Sequence, residues 1–333
     1  MAIVGGLELL RRLAGSLWVR AVVSAGLLAA VATQIDYGAI RGRLAGGSWG
    51  WFALAAAVLF ASFVVGGLRW HIFLAAAGVG STRRKAVDAY LIGTFTTNFL
   101  PTQIGGDVTR AVVVAERGTR MRSLTTVVLD RASALACMIV VGWIVVAANP
   151  AAVPGQLFGA LAAASSAFVL VCLLLALLVR LRAPRRLLPA RLRPAAGEIK
   201  DAVVRCLTLS VLGRTLLIGL GFQALVYLAV WLVARSISLA VPFAVIASAL
   251  APVLILSTAP VSIGGFGVRE GSYVFLLSYA GVGATEATLF SLLTAATFAL
   301  ASLPGALVLL RRRPVAVGRQ ASPESARPPQ AED

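Results

Sequence analysis

An all-α polytopic membrane protein is the fold class this sequence predicts, and three observations carry it. Of 333 residues, 59% are hydrophobic and 13% charged, against roughly 45–50% and about 25% in ordinary soluble domains; the mean hydropathy is +0.91. Apolar runs long enough to cross a bilayer, about 17 to 25 residues, recur along the chain and are separated by clusters of arginine. A proline–glycine motif interrupts two further apolar runs at the same relative position, which points to about six spanning helices plus two re-entrant hairpins in an inverted-topology repeat.

The spanning runs lie at 16–33, 49–67, 124–147, 156–179, 211–234 and 284–310. In the first, Arg11, Arg12 and Arg20 followed by an apolar stretch and Ala30-Val31-Ala32 share features with a secretory signal. The long polar stretch before it, and the consistent topology obtained when it is kept, favour a retained helix. Basic residues then set orientation. Arg11 and Arg12 precede the first span, Arg69, Arg83, Arg84 and Lys85 follow the second, and Arg110, Arg117, Arg120 and Arg122 precede the third. The loop 148–155 has no charge, the loop 180–206 has eight bases, and Arg311, Arg312 and Arg313 close the last span. Both termini and the loop 180–206 are thereby expected in the cytoplasm, in the inner cell membrane.

The run 86–100 has basic clusters on both sides, so it is expected to enter from the cytoplasm, turn and return. It ends in Thr97 to Arg110, TNFLPTQIGGDVTR. The run 240–259 ends in Ser257 to Glu270, STAPVSIGGFGVRE, and is expected to enter from the opposite side. Pro101, Ile104, Gly105, Gly106 and Arg110 match Pro260, Ile263, Gly264, Gly265 and Arg269 at one offset of 159 residues, and the same offset carries the second span onto the fifth and the third onto the sixth. Repeat one is thus drawn at about 49–147 and repeat two at about 208–306, within one transmembrane domain over 1–310. Arginine, proline, serine and alanine without apolar periodicity predict a disordered cytoplasmic tail over 311–333.

Irregular backbone at membrane depth survives only if it is buried in protein or lines a wet cavity. The prolines end helices, and the glycine pairs permit tight turns whose free amides, beside a helix N-terminus, favour an anion such as phosphate. Arg110 and Arg269 are candidate phosphate donors; snorkelling to headgroups is the alternative. Asn98 and Ser257 occupy equivalent positions, where they either cap the broken helices or meet substrate. Asp107 is a candidate partner for Arg110 or for a substrate cation. Asp130 and Arg131 fall near the start of the third span, where Asp130 pairs with Arg110 or Arg131 and lines a polar path, or where both are interfacial. Glu270 adjoins Arg269 and either neutralises it or responds to a proton.

The net charge of +17 would suggest nucleic acid in a soluble chain, but these bases sit between apolar runs, where an anionic lipid surface explains them better. Cys137, Cys172 and Cys206 are widely spaced, and His71 is the single histidine, so no disulfide, metal site or cofactor is expected. No nucleophile with a nearby base is evident, so the chain is read as no enzyme, with a lipid transferase using one carboxylate left open.

At Asn98, Leu100, Pro101, Gly105, Gly106, Asp107 and Arg110, at Asp130-Arg131, and over Pro260 to Gly271, the chain resembles the flippase-like transmembrane family typified by the membrane region of lysylphosphatidylglycerol synthases. The resemblance implies translocation of an anionic or phosphate-bearing lipid, or of a polyprenyl-linked one, across the cytoplasmic membrane. The aminoacyl-transferase domain that the synthases carry after their membrane region has no counterpart in these residues, so lysyl transfer is not implied. The alternative reading is a non-catalytic membrane subunit that scaffolds a lipid-modifying or glycosyltransferase partner.

Overall fold

The computed structural model describes residues 17–33, 35–99, 103–116, 118–180, 193–258, 262 and 265–311. Among them the protein is all-helical and contains no strand. In chain order the helices are α1 (Leu17–Ala32), α2 (Tyr37–Ala45), α3 (Trp49–Ala76), α4 (Arg83–Phe99), α5 (Gln103–Val114), α6 (Arg120–Ala148), α7 (Gly155–Arg180), α8 (Arg193–Cys206), α9 (Leu209–Ser236), α10 (Phe243–Thr258), α11 (Val268–Ser278) and α12 (Ala284–Arg311).

Five of these are long and apolar enough to cross a membrane: α3, α6, α7, α9 and α12. At the N-terminal run drawn at 16–33, the described residues form α1 from Leu17 to Ala32. It gives way to α2, where the Asp36 carboxylate accepts from the amides of Gly38 and Ala39. Elsewhere the spans run longer than drawn. α3 passes through Arg69, Trp70 and His71 and continues to Ala76, because Arg69 is buried and neutralised by a partner on another helix. α8 arises inside the basic loop, where no helix was expected, and packs against α3 and α6.

α3 and α9 form the most extensive helix pair and run antiparallel. The Ser48 amide donates to the Ser236 carbonyl at 2.9 Å at one end, and the Cys206 thiol donates to the Phe73 carbonyl at 3.5 Å at the other. α4 and α5 fold back on each other as an antiparallel hairpin. The Lys85 ammonium donates to the Val114 carbonyl at its open end, and near its tip Gly106 lies against Gly93 and Thr97. A Cβ on Gly106 would sit 2.8 Å from the Thr97 amide nitrogen, so the two backbones approach this closely only because position 106 has no side chain. The hairpin tip meets the middle of α12, where the Asn98 amide donates to the Phe298 carbonyl at 3.3 Å.

Helix lengths recur along the chain. α3 to α6 have 28, 17, 12 and 29 residues, and α9 to α12 have 28, 16, 11 and 28. The pairings recur as well: α4 packs on α5 and α10 on α11, α5 on α6 and α11 on α12, α4 on α12 and α10 on α6, α6 on α9 and α12 on α3. Two apolar cores result. One gathers Leu59, Phe63, Phe73 and Leu74 from the middle and end of α3 with Phe222 from the middle of α9, and the other gathers Ile139, Leu161, Tyr227, Ile246, Leu277 and Phe290.

Candidate functional site

Three arginines and two aspartates from α3, α5 and α6 form a continuous ionic ladder. At its buried end, Arg69 donates through Nε at 3.1 Å and Nη2 at 2.7 Å to Oδ1 of Asp130. The second oxygen, Oδ2, accepts from Arg110 Nη1 at 2.9 Å. Arg110 Nε in turn donates to Asp107 Oδ1 at 3.2 Å, and Arg131 Nε donates to Asp107 Oδ2. Exposure rises along the ladder: the side chains of Arg69 and Asp130 are 0% and 2% exposed, Arg110 is 6%, Asp107 is 18% and Arg131 is 46%.

Packing fixes the two inner arginines. Gly219 of α9 leaves room beside the Arg69 guanidinium, since a Cβ there would lie 3.3 Å from Arg69 Nη1, and the Phe222 ring one turn on lies 5.0 Å from the guanidinium carbon. Arg110 is held between Trp70 and Tyr90, each ring centroid 4.9 Å from its guanidinium carbon. The Trp70 indole is itself tied to Thr126 Oγ1 at 3.1 Å. These ring faces supply a favourable quadrupole to a desolvated cation. With three cations and two carboxylates, the ladder carries a net charge of +1.

A smaller cluster forms where α11 begins. Glu270 Oε1 accepts from Arg269 Nε at 3.0 Å and Nη2 at 2.6 Å, and from the Ser291 hydroxyl of α12 at 3.4 Å. Its other oxygen accepts from the Gly267 amide at 2.7 Å, which caps the helix from its third position. Glu270 is fully buried while Arg269 is 24% exposed and lies 5.4 Å from the Phe266 ring. Among the described residues no hydrogen bond or ion pair joins this cluster to the ladder.

The expected pairs Asp107–Arg110, Asp130–Arg110 and Arg269–Glu270 are present. Arg131 is not a partner of Asp130; it turns outward to Asp107. The interfacial alternative for Asp130 is excluded, since the carboxylate is buried in the helix bundle. Asn98 bonds across to α12, and the Ser257 hydroxyl bonds back to its own helix at the Val253 carbonyl, 2.6 Å away. Gly105 and Gly106 begin the second arm of the first hairpin, and Gly265, at φ +81°, shapes the turn before α11. Pro101, Pro260 and Gly264 lie outside the described residues.

Sequence reasoning missed Arg69, grouping it with the flanking bases Arg83, Arg84 and Lys85. The signal was present: after Arg69-Trp70-His71 the chain stays apolar through Ala77, another turn and a half of helix.

A family model described as the lysylphosphatidylglycerol synthase TM region matches residues 17–305, from the start of α1 into α12. No curated protein and no solved structure matches the chain. The matched span contains the ladder, the Arg269–Glu270 cluster and both interrupted helix pairs, and this chain belongs to the lysylphosphatidylglycerol synthase transmembrane-region family.

Proposed function

We propose that the protein translocates a phosphate-bearing or otherwise anionic lipid across the inner cell membrane, and that the outer end of the ladder receives its headgroup. One observation carries this reading. Arg131 lies eleven residues into α6, roughly 16 Å along a helix of about 43 Å, yet its side chain is 46% exposed. A cation at that depth calls for water, a counter-ion or a headgroup, because hydrocarbon solvates it poorly. Asp107 neutralises it only in part, since Asp107 also serves Arg110.

Headgroup binding then falls to Arg131 and Arg269, the two partly exposed guanidinia, with Asp107 and Glu270 setting their orientation. Arg110, already engaged by two carboxylates and two rings, positions the ladder rather than acting as a free clamp. The two four-helix units are read as an inverted-topology repeat, supported by the antiparallel run of the equivalent helices α3 and α9 and by the recurring pairings. The hairpins α4–α5 and α10–α11 are read as re-entrant, entering from opposite faces, an arrangement that places binding groups near the bilayer midplane.

The test is translocation of fluorescent phosphatidylglycerol in reconstituted vesicles. Arg131→Gln and Arg269→Gln should each slow it at least ~10-fold in protein that remains folded and inserted, a loss of about 1.4 kcal/mol in transition-state stabilisation. Wild-type rates in both variants would sink the site. Absence of lipid movement by the wild-type chain, together with a copurifying lipid-modifying or glycosyltransferase enzyme, would favour the scaffold reading instead.

A further inference from the structure

At the end of the bundle where α3 stops, two arginines converge with no counter-charge. Two residues past the end of α3, Gly78 has φ +74°; its amide donates to the Ala75 carbonyl at 3.1 Å and the Val79 amide to the Leu74 carbonyl at 2.9 Å. Arg122 Nη1 from α6 and Arg205 Nη1 from α8 each lie 3.6 Å from the point where a Gly78 Cβ would stand. The two nitrogens are therefore no more than twice that distance apart. Among the described residues neither arginine has a carboxylate within ion-pair distance. Arg122 Nε is buried and without a hydrogen-bond partner. The carboxylate of Glu116 sits beside Gly80, 3.6 Å from the equivalent point there, and pairs with neither guanidinium.

The start of α6 adds to the unbalanced charge. Arg120 and Arg122 place two cations in its first turn, at the positive end of the helix dipole. Its N-cap, Thr119, makes no side-chain cap, because the hydroxyl is occupied by the Glu116 amide at 2.9 Å and the Glu116 carbonyl at 3.2 Å. Converging guanidinia, an unpartnered buried N–H and an uncapped helix start are the elements from which proteins build phosphate sites.

We propose that Arg122 and Arg205, straddling Gly78, form a binding site for a phosphoryl group. It is separate from the translocation ladder, since Arg122 precedes Asp130 by eight residues, ~12 Å along α6. The phosphoryl group comes from the headgroup of an anionic lipid at that face of the membrane or from a soluble phosphate. Planar guanidinia on two different helices hold such a group bidentately and tie the first turn of α6 to the end of α8.

The full-length protein and its Arg122→Gln/Arg205→Gln double variant are compared in neutral detergent with added inorganic phosphate. Both are also compared in nanodiscs of phosphatidylglycerol or phosphatidylcholine, with retained lipids counted by native mass spectrometry. Inorganic phosphate should raise the melting temperature of the wild type and raise that of the variant at least ~5-fold less if the source is soluble. Retention of one more phosphatidylglycerol by the wild type than by the variant, with no such difference for phosphatidylcholine, identifies a lipid source. Equal phosphate response and equal lipid retention in the two proteins would overturn the site. Without added anion the variant should melt no lower than the wild type, because two mutually repelling cations have been removed. A lower melting temperature would show that the arginines are structural, and would overturn the proposal as well.

Discussion

Arg69 of α3 and Asp130 of α6, 61 residues apart in sequence, are bound to each other by three buried hydrogen bonds, two to the Asp130 carboxylate at 3.1 and 2.7 Å and one to its backbone carbonyl at 3.2 Å. Asp130→Leu leaves Arg69 as an uncompensated charge away from water, whereas after Arg69→Met the Asp130 carboxylate keeps Arg110. Asp130→Leu is expected to cost about 3–5 kcal/mol and Arg69→Met less, read by unfolding in a denaturing-detergent titration. The double substitution should cost less than the sum of the two, because it removes both members of the pair. Additive losses would mean that the pair contributes no coupling.

The first hairpin should tolerate no side chain at its crossing. Gly106→Ala forces a Cβ against the Thr97 amide and the Gly93 carbonyl, and Gly305→Ala places one 2.7 Å from the Leu91 carbonyl carbon. Both contacts are with backbone, so neither side can yield cheaply, and each substitution is expected to cost ~1–3 kcal/mol or more. Gly213→Ala meets nothing within 4 Å and should stabilise α9 by up to ~1 kcal/mol. Similar melting temperatures for all three variants would contradict the close approach of α4, α5 and α12.

Along the ladder, stability and transport are expected to separate. Arg110→Gln removes a desolvated cation from two carboxylates and two rings, and should lower both the folded yield and the rate. Arg131→Gln acts on a half-exposed pair, for which a stability change within ~1 kcal/mol is expected, together with the loss of lipid movement. Thermal unfolding measured beside the vesicle assay checks this; a loss of folded protein equal to that of Arg110→Gln would make Arg131 structural.

Orientation can be read from reporter cysteines at opposite ends of the bundle. Arg84 at the start of α4 and Tyr37 at the start of α2 are both exposed. With the arginine-rich end in the cytoplasm, a membrane-impermeant maleimide should label Tyr37→Cys in intact cells and Arg84→Cys only after permeabilisation. The reverse pattern would invert the assigned topology.

Native Cys206 should stay silent in that experiment. Burial at the end of α8 pushes its thiol up to about 11, and it donates to the Phe73 carbonyl. At neutral pH it is therefore protonated as well as enclosed, and only the thiolate reacts. Labelling of Cys206 by maleimide at pH 7 in the folded protein would show that α8 opens from α3.

Most helices were legible because a membrane helix writes its length in apolar residues. The runs drawn at 156–179 and 284–310 end within a residue or so of α7 and α12. The errors came at charges. Arg69 suggested the end of the second span, and the pattern of bases contained no sign that α8 would form. A one-dimensional reading treats every arginine as a solvated flank, whereas burial depends on whether a carboxylate and a cavity wait on another helix. For the same reason Asp107–Arg110 and Arg269–Glu270 were readable, being three residues and one residue apart, while Arg69–Asp130 was not.

By itself the sequence determined that the chain is helical, that it lies in a membrane, where most of its helices fall, and that a proline–glycine motif recurs at a fixed spacing. Those properties depend on apolar run length, local backbone chemistry and neighbouring side chains. The tertiary structure decided which charges are partners, that Arg110 is enclosed while Arg131 is exposed, and that α3 and α9 lie antiparallel. These are set by shape: Gly219 makes room for Arg69, Gly106 lets two backbones touch, and both are consequences of helices meeting across distances that no local pattern encodes.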